Sequence, residues 1–283
     1  MNRKMLLAAS MLAVALPAAG AQAATLRLEK LAARVVVIPE NRANITAEVR
    51  AGKGEVAKPV LRTAGADMIV SGDLTEENLR SCSKSGNDPA KGVVKLSKRK
   101  NVRVEDLPVV TVRVPMDVTV VADGAVVGEV GASRSLNLTQ RRCGAWRIGD
   151  VAGRLNLELE GFGDFHGGSA GEAVIDLEGM GDVTLRSTRS LKASLEGMGD
   201  VTLDRIESGP VDVALAGMGD VRIKAGRATT FKARLEGMGD VRFDGVADTL
   251  DASADGMGSI RVAEARTVVR KSQSGFAKVK VGR

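Results

Sequence analysis

Five aspartates recur at one position of a repeat: Asp164, Asp182, Asp200, Asp220 and Asp240. Stacked carboxylates hold calcium in glycine-rich solenoids, but those repeat about every nine residues and set several aspartates around each shared ion. Here the period is twice that and the second aspartate is missing. The ladder is therefore expected to accept backbone hydrogen bonds at a turn, and no metal or other cofactor is assigned. Arg222, Arg242 and Arg261 follow Asp220, Asp240 and Ser259 by two residues and are expected to neutralise part of the ladder. A second ladder is built of Met180, Met198, Met218, Met238 and Met257, with Phe162 and Phe276 at its ends. Strict alternation from Leu195 to Val201 puts Met198 outside, beside Glu196 and Asp200. A corner at the adjoining glycines turns it inward, where a flexible thioether fills an irregular core. Inward packing is the expectation; an outward stripe would mark a binding surface.

The remaining reactive residues carry less. His166 is the only histidine. No serine or cysteine motif accompanies it, so it is expected as a surface-loop residue and no catalytic residue is assigned. Lys91, Lys95, Lys98, Arg99, Lys100 and Arg103 form a basic run without an acid. Nucleic-acid binding calls for interleaved aromatics, which are absent, so the run is expected as a solvated, lysine-guarded edge. Cys82 and Cys143 form an even count compatible with one disulfide. Such a bridge would tie the loop-like segment 76–91 to the rest of the chain.

These residues must be positioned by whatever the repeat builds. The motif runs Glu160-Gly-Phe-Gly-Asp164, Glu178-Gly-Met-Gly-Asp182, Glu196-Gly-Met-Gly-Asp200, Ala216-Gly-Met-Gly-Asp220, Glu236-Gly-Met-Gly-Asp240, then decays through Asp255-Gly-Met-Gly-Ser259 and Ser274-Gly-Phe-Ala-Lys278. Its first glycines step by 18, 18, 20, 20, 19 and 19 residues. Between motifs, apolar residues alternate: Val183 and Leu185, then Leu191, Ala193 and Leu195. A period of two over short runs is strand, and a unit of this length has no room for a useful helix. Two strands per unit predict an all-β fold, a right-handed parallel β-helix (β-solenoid) with coils of ~18–20 residues. Gly179, Gly181, Gly197, Gly199, Gly217, Gly219, Gly237 and Gly239 are expected as structural turn residues where Cβ atoms would clash.

Length and composition agree. The chain has 283 residues, 44% of them apolar, with 33 glycines and aromatics at only 2%. Disorder and collagen are excluded, and a sugar cleft floored by aromatics lacks its material. Asn2-Arg3-Lys4, the apolar run Met5–Leu16 and Ala21-Gln22-Ala23 read as a signal peptide over residues 1–23, cleaved between Ala23 and Ala24. No later run is long enough to span a bilayer, so the exported chain is expected in the periplasm or secreted. Residues 24–106 are expected as an irregular β region continuous with the solenoid, and 107–283 as the regular repeats.

The Gly-Met-Gly-Asp-Val runs beginning at Gly179, Gly197, Gly217 and Gly237 (the last with Val241) resemble the repeats of the head GIN domain family, the auto-transporter adhesin-like β-solenoid proteins. The resemblance spans Leu107–Val281 well and Leu26–Leu107 loosely. It implies an exported right-handed β-helix and carries no catalytic residue over. No barrel of aromatic-girdled strands is seen after the last coil, so the chain is expected to stay in the periplasm or leave by another route. The expected function is a non-enzymatic envelope protein presenting repeated ladders to a surface polymer or protein partner, with neither nucleic acid nor membrane span. The alternatives are a polysaccharide-active β-helix enzyme and a periplasmic docking or sensory module.

Overall fold

Leu136, Leu155, Ala173, Leu191, Val211, Phe231 and Leu250 stand in one column, each in parallel register with the next. Their spacing along the chain is 18–20 residues, the period of the repeat. The computed structural model describes residues 24–282 except 54–55, 76, 78, 86–87 and 97–100. The expected leader, residues 1–23 with its cleavage boundary at Ala23, lies outside them. The described chain is nearly all β, a parallel β-solenoid of about nine turns.

The strands are β1 (Thr25–Glu40), β2 (Thr46–Arg50), β3 (Val60–Ala64), β4 (Asp67–Ser71), β5 (Leu79–Ser85), β6 (Asp88–Leu96), β7 (Asn101–Arg103), β8 (Val109–Pro115), β9 (Asp117–Val130), β10 (Ser135–Gln140), β11 (Cys143–Ile148), β12 (Val151–Leu159), β13 (Phe162–Leu177), β14 (Val183–Leu195), β15 (Val201–Leu215), β16 (Val221–Ile223), β17 (Gly226–Leu235), β18 (Met238–Gly275) and β19 (Lys278–Val281). From β9 onward they pair in parallel, coil on coil. Within a coil, alternate residues enter the core: Val183, Leu185, Leu191, Ala193 and Leu195 are all buried. Aliphatic columns therefore run the length of the rod, and only a few aromatics interrupt them. Phe231 and Phe243 stack with ring centroids 4.9 Å apart. Trp146 is fully buried and donates its indole N–H to Gln140 Oε1 at 2.8 Å.

The N-terminal end is built differently. β1 stacks on β9 through one edge. Its other edge carries β4 and β8, and these take β3 and β2 in antiparallel fashion. Antiparallel strands at an end interrupt the parallel template that would otherwise accept another chain. β5, β6 and β7 form a separate antiparallel sheet. Within segment 76–91, expected as a loop, β5 instead pairs antiparallel with β6 as a hairpin outside the solenoid sheet. Its pairing rests on backbone hydrogen bonds and needs no apolar alternation, so its composition reads as loop. A disulfide between Cys82 and Cys143, Cα atoms 6.1 Å apart, ties that hairpin to β11. Among the described residues, no helix is long and apolar enough to cross a membrane.

Candidate functional site

The repeated motif is a corner. Leu195 and Val201 point into the core on either side of it. Between them Glu196, Met198 and Asp200 face out, with Gly197 and Gly199 at the intervening positions. Alternation passes through the corner without a break, which overturns the expected inward methionines. Met198, Met218, Met238 and Met257 are 41 to 52% exposed, and Phe162 continues the line at 56%. Met180 is half-buried. The glycines explain why the corner does not invert: at Gly199 φ is +142°, and an added Cβ would sit 2.7 Å from the carbonyl carbon of Gly181 one coil away. Backbone stacks against backbone there, so no side chain can turn inward, and the thioethers have only the solvent side.

The methionine backbones pair directly from coil to coil, Met180 with Met198, Met198 with Met218, and Met218 with Met238. Each coil's corner hydrogen bonds are made within the stack, as in Met218 N–H to Gly197 O at 2.9 Å and Gly199 N–H to Met218 O at 3.0 Å. The result is a straight apolar stripe on a rigid glycine floor. A shallow groove of about 490 Å³ runs along it, walled on one side by Glu160, Glu178 and Glu196. The other side carries the aspartates. Towards Phe162 the stripe enters a cleft of about 340 Å³ beneath the tethered hairpin, lined by Gly92–Val94 together with Met180, Asp164 and Asp182.

Each aspartate supports its neighbour. The backbone N–H of Asp182 donates to Asp164 Oδ1 at 3.0 Å, Asp200 to Asp182 at 3.1 Å, Asp220 to Asp200 at 2.8 Å and Asp240 to Asp220 at 2.8 Å. Ser259 Oγ closes the series on Asp240 Oδ1 at 2.8 Å. The expected turn chemistry thus runs between coils. Among the described residues, no three His, Cys, Asp or Glu side chains gather as a cation site. The arginines expected to neutralise this ladder do not. Arg222 and Arg242 turn to Asp244, at 3.9 and 2.7 Å, and Arg261 donates to Ser259 Oγ at 3.1 Å. Asp240 and Asp220 are already taken up by Ser259 Oγ and by the Asp240 N–H, and Arg222 stacks on Arg242 in register, which brings both within reach of Asp244.

The glutamate wall is electrostatically loaded. The Asp176 carboxyl is pushed above its ordinary pKa, first by burial and then by Glu158 and Glu196. Glu178 is pushed up as well, chiefly by Asp176. By contrast Asp150 is held low by the Ser169 backbone N–H and by Arg186. The five acids Glu158, Glu160, Asp176, Glu178 and Glu196 outnumber the cations beside them, Arg141 on Glu160 at 3.3 Å and Lys192 near Asp176. Glu160, Glu178 and Glu196 were visible in the repeat, but their crowding with Glu158 and Asp176 depends on which coils adjoin.

The other candidates are placed elsewhere. His166 is half-buried within β13, beside Arg147 and Thr184 in register, not on a surface loop. In the basic run, Lys95 is exposed and Arg103 pairs with Glu105 and Asp106 at 2.9 and 3.1 Å; Lys98, Arg99, Lys100 and the Lys91 side chain lie outside the described residues. The hairpin wall over the cleft had no signal in the repeat beyond the cysteine pair. A scan against protein-family models finds no match, and a comparison with curated proteins finds none.

Proposed function

We propose that the protein is an exported, non-enzymatic, adhesin-like docking solenoid whose working surface is the methionine stripe. One observation carries the reading: a line of mostly exposed apolar side chains, held on a rigid backbone, with Glu160, Glu178 and Glu196 along one side and the aspartate ladder along the other. Exposed apolar patches framed by polar residues mark interaction sites. The acid borders favour a cationic partner over anionic envelope polymers. The rung spacing favours a helix. Coils stack ~4.8 Å apart, and an α-helix lying along the axis brings a residue to the same face about every 5.4 Å. A strand repeats its face at roughly 6.7 Å and slips out of register. The six rungs from Phe162 to Met257 span about 24 Å, the length of a helix of about 16 residues. Flexible methionines absorb the residual mismatch. The partner is therefore a protein segment that forms an amphipathic helix with basic flanks. The disulfide and the leader read from the sequence support an oxidising, exported setting, and the Gly-Met-Gly-Asp resemblance to the head GIN domain family supports an adhesin-like role. The near-identity of the coils supports docking over catalysis, since an active site breaks repeat symmetry at one place.

The test uses a synthetic helix with leucine on one face and lysine on the other, a scrambled peptide of the same composition, and lipopolysaccharide and peptidoglycan as anionic competitors. Anisotropy should show saturable, salt-sensitive binding of the amphipathic peptide, lost when Met198, Met218 and Met238 are changed to serine. Equal binding of the scrambled peptide, or preferential binding of the anionic polymers, would sink the proposal.

A further inference from the structure

The stripe is made of sulfur as well as hydrocarbon. Of the seven methionines after residue 23, five stand in this one line. Met68 is buried and Met116 half-buried elsewhere. Leucine or valine would supply the same apolar area, and this chain uses both freely in its core. Thioethers add a soft, neutral donor that no pH protonates. Such donors select soft monovalent ions such as Cu(I), and carboxylate and water suit the hard ones. The two cysteines are consumed by their disulfide, so methionine sulfur is the soft donor available to such an ion.

The geometry suits a bridge between rungs. Neighbouring methionines are held at the coil spacing of ~4.8 Å by direct backbone pairing. Zinc–thiolate bonds are about 2.3 Å, so two metal–sulfur bonds of that order match the backbone spacing of adjacent rungs, and the flexible thioethers can close on an ion between them. The carboxylates of Glu178, Glu196 and Asp182 line the groove and cleft at these rungs and draw cations to the line. We infer that the methionine ladder is a binding site for soft monovalent cations, Cu(I) or its redox-inert analogue Ag(I), held between adjacent rungs. The inference is independent of helix docking, because it depends on sulfur and on adjacency, whereas docking depends on apolar area.

The experiment titrates silver nitrate, in chloride-free buffer, into the full disulfide-bonded chain labelled with ¹³C at the methionine methyls. The five ladder methyls should shift, with Met68 and Met116 unmoved, and saturation should come below one ion per ladder methionine. Two double variants remove the same number of sulfurs. Met198→Leu with Met238→Leu leaves Met180, Met218 and Met257 with no adjacent pair, and should weaken binding about tenfold or more. Met180→Leu with Met257→Leu keeps three adjacent rungs and should hold affinity near wild type. Equal losses in the two variants, or ladder methyls that do not move, overturn the inference. Leucine at these positions preserves the apolar stripe, and amide-exchange protection of residues 135–262 equal to wild type in both variants shows that their coils are intact.

Discussion

Replacing Gly199 by alanine puts a methyl group where two coils meet. The residue sits at φ +142°, and its new Cβ would lie 2.7 Å from the carbonyl carbon of Gly181, well inside van der Waals contact. Holding a non-glycine residue in such a conformation costs about 1–3 kcal/mol. The clash is with backbone, so no rotamer change relieves it and the coils must part locally. Parting them weakens the Gly181 N–H bond to Met198 O and the Met198 N–H bond to Gly179 O, both at 2.9 Å, each worth about 1 kcal/mol. The total is about 3–5 kcal/mol, a large share of the ~5–15 kcal/mol that holds a domain folded. Gly65 is the control. It lies in the turn between β3 and β4 at φ +63°, and an added Cβ would meet nothing within 4 Å, so Gly65→Ala should cost only about 1–2 kcal/mol. Urea unfolding gives both values, and amide exchange shows whether protection is lost in the coils flanking residue 199. If the two variants lose stability equally, the corner is not held by backbone contact, and the reason given for outward methionines fails with it.

Four further outcomes follow from the same geometry. Changing Cys82 and Cys143 together to serine removes a bridge closing 61 residues of sequence separation, worth about 4 kcal/mol in the chain-entropy model; limited proteolysis should then cut within 79–103 while exchange protection of residues 135–262 is kept. Asp200→Ala leaves the Asp220 N–H without its 2.8 Å acceptor and should cost about 1 kcal/mol, whereas Asp200→Asn retains an oxygen acceptor and should melt close to wild type. The single tryptophan, fully buried against Gln140, should emit at short wavelength and resist iodide quenching, and Gln140→Leu should destabilise by about 1–3 kcal/mol by stranding the indole N–H. Asp176 has a folded-state pKa above its ordinary value, so its ionisation penalises the fold. That penalty grows as pH rises through the carboxylate range and is fully present at neutrality; Asp176→Asn should therefore raise the melting temperature at pH 7 and change little near pH 3, and an equal gain at both pH values would refute this.

Much of the corner could be read without coordinates. Alternation from Leu195 to Val201 already placed Met198 beside Glu196 and Asp200 on the outer face. The glycines at the corner do not invert the chain. They occupy positions that face a neighbouring backbone, and a local pattern cannot show how close that backbone comes. The same limit explains the arginines. Arg222 and Arg242 have aspartates two residues before them, but Asp244 is the shared partner because coil stacking brings Arg222 within reach of it. The hairpin of β5 and β6 escaped because its register is set by backbone pairing, and its polar residues carry no alternation to detect.

By itself, the sequence determined the class of fold, the coil length and which strand residues enter the core, since an 18–20-residue period and a two-residue alternation are properties of the chain alone. It also supplied the pair of cysteines and the three ladders of Glu, Met and Asp. Only the tertiary structure decided which way the methionines face, that the aspartates link one coil to the next, that five acids crowd one wall, and that the hairpin overhangs one end of the stripe. Each of these depends on distances between residues about one coil or more apart in sequence, and such distances exist only once the coils are stacked.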